Sequence, residues 1–199
     1  KVSMVSFSSS QENVLIGIAI TFSTFSFIAS SSVAFTFHKF RELQSFEYNI
    51  VLWAVLANLG ADISVFLGNP DDGSFLCGLQ GFTHTYFNLV SIFCIVSICH
   101  IMRLKFVSFD QHFERHHREY TAFAIGLPLV LAILPLTTSS YGDAGGWCGI
   151  NQTTEIADMD SLWRLLVYYL PIFSAFIYAL VTVTSVATSI ALTIRSSSQ

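Results

Sequence analysis

The sequence predicts an all-α, polytopic membrane helix bundle, and three observations carry that prediction. Five apolar stretches, at roughly 14–37, 48–67, 76–104, 120–137 and 162–194, are each long enough to cross a bilayer, which takes about 20 mostly apolar residues in a helix. Of the 199 residues, 53% are hydrophobic and only 11% are charged, a balance foreign to a soluble domain of this size. The few cations are also unevenly placed. Lys39 and Arg41 fall between stretches one and two, Arg103, Lys105, Arg115 and Arg118 between three and four, and Arg195 after the fifth. The other two connections hold Arg164 against Asp71, Asp72, Asp143, Glu155, Asp158 and Asp160.

The positive-inside bias then places the N-terminus outside and the C-terminus in the cytoplasm; Lys1 is the one contrary vote. Asn151-Gln152-Thr153 is an N-glycosylation sequon on the side this orientation makes external, where alone it could be used. Cys77 and Cys148 fall on that same oxidising side, where a disulfide persists. Cys94 and Cys99 lie inside the third stretch and read as small buried apolar residues. The cysteines thus resolve into one bridge and two free thiols. A net charge of −4 spread over both faces suggests no nucleic-acid partner. Lys1 in place of Met, and an end at Gln199 just as the fifth stretch should leave the membrane, lead us to expect a chain truncated from a longer protein.

Each span has its own signature. The first is rich in Phe, Ser and Thr, with Ser30-Ser31-Ser32 near its middle; small hydroxyl residues suit close helix packing and bond back to their own carbonyls. In the second, Asn58 and Asp62 share a face. A carboxyl group at the bilayer centre costs about 2.5–3.5 kcal/mol on insertion scales. Asp62 is therefore either a hydrogen-bonded structural group or an ion or proton site, and the pair is a candidate intramembrane polar switch. The third span carries Cys77, Gln80, His84, Asn88 and Ser91 at spacings of three, four, four and three. One polar face inside a membrane marks a central helix. Gln80, His84 and Asn88 are candidate ligand contacts, with helix-to-helix bonding as the competing reading.

Between spans three and four, Phe106, Phe109 and Phe113 alternate with charges and with His112, His116 and His117. No further strong ligand accompanies the histidines, so no metal site is assigned; a helix lying at the interface fits better. Pro128 and Pro135 should kink the fourth span. In the fifth, Arg164, Tyr168, Pro171 and Tyr178 lie roughly on one face. Arg164 either snorkels to the interface or guards a cavity for an anionic ligand.

Two segments carry a family resemblance. Leu76-Cys77-Gly78-Leu79-Gln80-Gly81-Phe82 and the loop Tyr141-Gly142-Asp143-Ala144-Gly145-Gly146-Trp147-Cys148-Gly149-Ile150 resemble the third-span head and the outer loop of the slime-mould cAMP receptors and their relatives among seven-span G-protein-coupled receptors. The run from Phe46 to Asp62, Gly126-Leu127-Pro128 and Tyr168-Tyr169-Leu170-Pro171 are similar too, so that the resemblance covers residues 14–194. It implies that a Cys77–Cys148 bridge pins the loop over the third helix. Trp147 and the polar third-span face would then line an outer vestibule, and the cytoplasmic stretches would meet a heterotrimeric G protein. The third span ends Cys99-His100-Ile101-Met102-Arg103-Leu104 without an acidic-Arg-Tyr triplet, and spans six and seven of the seven-helix receptor fold are absent.

The expectation is a receptor that senses an extracellular ligand, working without a cofactor and in contact with membrane lipids. A five-span structural subunit among neighbouring membrane subunits is the alternative. A channel or transporter fragment would show an internal repeat, which the sequence lacks. Enzyme chemistry is not expected, because no nucleophile–base pair, zinc signature or phosphate loop is present.

Overall fold

Five helices long and apolar enough to cross a membrane dominate the computed structural model, which describes residues 9–40, 46–68, 70–108, 117–144, 147–151 and 159–197. The first three helices are Ser9–Lys39, Phe46–Phe66 and Phe75–Phe106. The fourth runs through His117–Thr121, a π segment Ala122–Gly126, Leu127–Ile133 and a 3-10 end Leu134–Thr138. A two-stranded hairpin, β1 (Tyr141–Asp143) and β2 (Cys148–Ile150), follows. The fifth helix comprises Met159–Trp163, a π segment Arg164–Tyr169 and Leu170–Ser197. His112, His116, Phe109, Phe113, Arg41, Arg115, Gln152 and Thr153 lie outside the described residues.

The third helix is the centre of the bundle. It packs on the second, fourth and fifth helices and under the hairpin, whereas the first helix leans chiefly on the second. Ser74 starts it: an extended residue whose hydroxyl accepts from the Cys77 N–H at 3.1 Å, satisfying one of the donors that every helix start leaves free. Its buried face follows Cys77, Gly81, Thr85 and Leu89 and continues through Cys94, Ser97 and Ile101. The first helix is mostly exposed. Thr21, Thr24, Ser32 and Thr36 donate to carbonyls four residues back, which leaves an apolar surface such as Phe22 and Phe25 facing outward. Lipid is the solvent that suits such a surface.

Three prolines coincide with three departures from α geometry. Proline lacks an N–H and its ring crowds the carbonyl four residues earlier. Both π segments end two residues before one, at Gly126 before Pro128 and at Tyr169 before Pro171. In the fifth helix the Leu170 N–H reaches back five residues to Leu165 O, so the widened turn reassigns a bond and relieves the crowding. Pro135 sits in the tighter 3-10 segment. The spacing of Arg164 and Tyr168 therefore follows a π turn, and α spacing resumes only past it.

Among the described residues, the hairpin is the one strand element in an otherwise helical plan. Tyr141 pairs with Ile150, Gly142 with Gly149 and Asp143 with Cys148, and Ala144 N–H donates to Trp147 O at 2.9 Å. It can lie flat on the third helix because Gly81 has no side chain. A Cβ there would stand 2.7 Å from Tyr141 Cδ1 and 3.3 Å from the Gly149 backbone. Gly81→Ala is accordingly expected to lift the hairpin and to cost roughly 1–3 kcal/mol. Thermal unfolding in detergent micelles reads this directly, and an unchanged midpoint would refute the close approach.

Candidate functional site

Cys77 and Cys148 are joined by a disulfide, which fixes β2 to the head of the third helix. Gln80 reinforces the joint. Its Nε2 donates to Ser64 O and Gly68 O, both at 2.8 Å, and its Oε1 accepts from Cys148 N–H at 3.4 Å. A third tie comes from Asp72, whose Oδ1 accepts from Gly73 N–H at 2.9 Å and Asp143 N–H at 3.1 Å. On the far side Tyr141 donates its hydroxyl to Ala132 O at 2.9 Å. Burial pushes the Tyr141 phenol above its usual range, so it stays a neutral donor across physiological pH.

Beside this joint is a cavity of about 260 Å³, lined by Ile16, Ile20 and Ser23 of the first helix, Val65 of the second, His84 of the third and Trp147 of the loop. The walls are largely apolar, with a few convergent polar groups, as in small-molecule sites generally. His84 Nδ1 lies 3.0 Å from Ser64 Oγ. That hydroxyl donates to Ala61 O at 2.6 Å, so it accepts from Nδ1–H. This assignment, made from the bonding network, leaves Nε2 as the acceptor of a neutral ring.

One turn of the first helix further in, Ser26 comes close to the carboxyl group of Asp62, which lies within electrostatic reach of His84. Asp62 is 7% exposed, and its Oδ2 has no hydrogen-bond partner among the described residues. Asn58 is half-buried one turn earlier on the same helix. Asp62 and His84, on different spans, thus belong to one polar cluster.

The remaining candidates form a separate group or serve the fold. Tyr168 OH and Thr85 Oγ1 are 2.9 Å apart, tying the fifth helix to the third. Arg164 donates to Asn151 O at 2.6 Å, while its Nε has no partner among the described residues. Asn88 donates to His84 O within its own helix at 2.8 Å. Only His84 and Trp147 of the ligand candidates line the cavity. Sequence reasoning missed Thr85, Ser26 and Ser64. Thr85 could have been found, since it continues the Cys77–Gly81 face at helical spacing; the hydroxyls of the first two helices gave no comparable signal.

Comparison with known proteins agrees with the geometry. A family model described as the slime mold cyclic AMP receptor matches residues 6–199. Cyclic AMP receptor-like protein A of Dictyostelium discoideum is 30% identical over 177 residues, 88% of this chain and 45% of that protein. G-protein coupled receptor 1 of Arabidopsis thaliana is 22% identical over 156 residues, 78% of this chain and 46% of that protein. The chain spans less than half the length of these two curated relatives. With five apolar helices, a bridged loop and this match over nearly its whole length, the chain is an integral membrane protein that belongs to the slime mold cyclic AMP receptor family.

Proposed function

We propose that this chain forms the ligand-receiving part of a cell-surface receptor that, in its full length, couples to a heterotrimeric G protein. The disulfide end faces outside and the end bearing Lys39, Arg103, Lys105, Arg118 and Arg195 faces the cytoplasm. The cation asymmetry supports this orientation, as do the sequon at Asn151 and the bridge between Cys77 and Cys148. The observation that carries the proposal is the cavity under the bridged hairpin, where His84 offers a hydrogen bond and Trp147 an aromatic wall.

A ligand seated there touches the first, second and third helices and the loop together. It therefore favours whichever arrangement of those helices it fits better, and no bond chemistry is needed. Gln80 and Asn88 support the walls, and Asp62 with Asn58 sits beneath as a polar element that helix movement would disturb. Arg164 and Tyr168 hold the neighbouring helix in register. A second reading has its own support: Phe173 and Phe176 on the fifth helix are each more than 60% exposed, a surface for a neighbouring membrane subunit to cover.

The test is labelled cyclic AMP, which does not cross membranes, applied to intact cells displaying the full-length protein. Saturable binding is expected, weakened about tenfold by His84→Ala, the loss of one good hydrogen bond, and by Trp147→Ala. Binding that ignores both substitutions would remove the cavity from consideration. With no binding at all, cross-linking to neighbouring subunits becomes the discriminating measurement.

A further inference from the structure

A second cavity, of about 500 Å³, lies at the other end of the bundle among the third, fourth and fifth helices. Val96 and Phe123 supply apolar wall, and Arg103 and Glu119 stand at it from the third and fourth helices. His100 and Tyr178 line it, with His100 Nδ1 2.8 Å from Tyr178 OH. If the phenol donates, the ring proton sits on Nε2, which becomes a donor in its own right. Phe123, Leu127 and Val130 are exposed on the adjoining surface, so apolar wall passes into the membrane-facing side of the fourth helix.

The arrangement has a direction. A guanidinium and an imidazole donor can hold a phosphate, a carboxylate from another helix can receive an ammonium group, and apolar surface continues toward the bilayer. We propose that this cavity binds a glycerophospholipid whose headgroup carries both a phosphodiester and a primary ammonium, as phosphatidylethanolamine and phosphatidylserine do. Arg103 and His100 take the phosphate, Glu119 takes the ammonium, and an acyl chain lies along Val96 and Phe123. The site is independent of the ligand cavity and of which end faces the cytoplasm.

The chain, purified in detergent micelles, is mixed with equal amounts of phosphatidylethanolamine, phosphatidylserine, phosphatidylcholine and phosphatidylglycerol of identical acyl chains. Native mass spectrometry then counts the lipids retained. The two aminophospholipids are expected to exceed the other two by about tenfold, the worth of one charge-assisted hydrogen bond. Which of them leads separates the two sources. Arg103→Ala should abolish retention of both, and Glu119→Gln should erase the preference over phosphatidylglycerol while phosphate-dependent retention survives. Val96→Phe narrows the cavity without changing charge and should lower all retention. An unchanged melting midpoint for each variant excludes simple misfolding. Equal retention of the four lipids, or a preference untouched by Arg103→Ala and Glu119→Gln, would overturn the proposal. Micelles have no sides, so an inverted topology or a failed receptor reading leaves this result unaffected.

Discussion

Cys148→Ser should produce the largest loss of stability of any single substitution at the hairpin. The bridge joins residues 71 apart, and closing a loop of that length is worth about 4 kcal/mol in the chain-entropy account. That figure is a ceiling here, because an unfolded chain still threaded through a membrane or micelle has less freedom to lose. Tryptophan fluorescence during heating gives the comparison. Reductant should lower the midpoint of the native chain to that of the variant and leave the variant where it was. Equal shifts in both would mean that the reductant acts elsewhere and that the bridge carries little of the stability.

Gln80→Leu is the second large effect, although leucine nearly matches glutamine in size. Gln80 is 1% exposed, and its amide serves three backbone groups on two other segments. Ser64 is within the last turn of the second helix, where carbonyls are short of intrahelical donors; its own carbonyl has only a long 3.4 Å bond from Leu67 N–H besides the glutamine. The glutamine therefore acts as a cap supplied from a neighbouring helix. Removing it takes the amide from Gly68 O and Cys148 N–H and leaves Ser64 O only its bond from Leu67 N–H, at roughly 1–3 kcal/mol for each group left unmatched where no water can reach. A total of about 3 kcal/mol is expected, together with faster hydrogen exchange at residues 64–68 and in β2. Because Gln80 and the disulfide both hold Cys148, the double variant Gln80→Leu/Cys148→Ser should lose less than the sum of the two. Strict additivity would show that the two ties are independent.

The bundle could be read from the chain because hydropathy is a direct record of the solvent a helix meets. Five apolar windows were enough to place five helices. The central position of the third helix was legible for a similar reason, since polar groups recurring at helical spacing inside a membrane need protein on that side. Detail inside each helix was harder. The prolines announced trouble in spans four and five, but a proline pattern does not say whether the backbone kinks, tightens or widens. The structure uses a π turn at Pro128 and Pro171 and a 3-10 turn at Pro135.

Side-chain roles were least legible. Gln80, His84 and Asn88 share a sequence signature of polar residues one turn apart, yet their surroundings differ in kind. Gln80 faces carbonyls and a strand, Asn88 turns back on its own helix, and His84 borders a cavity. Which of these happens depends on what the second helix and the hairpin bring alongside, and that is long-range information. Asp62 shows the same limit. Its cost could be foreseen from its position, but its neighbour Ser26 comes from a helix whose hydroxyls all look alike in the sequence.

The Cys77–Cys148 bond has one further consequence, which concerns connectivity. It turns residues 77–148 into a covalent macrocycle that contains nearly all of the third helix and the whole fourth helix. A single protease cut between Lys105 and Arg118 opens that ring without dividing the molecule. In denaturing detergent the two pieces still migrate as one species until a thiol reductant is added. A cut between Lys39 and Tyr48 falls outside the ring and separates its products at once. The middle of this protein can therefore be nicked and remain a single molecule, for as long as its surroundings stay oxidising.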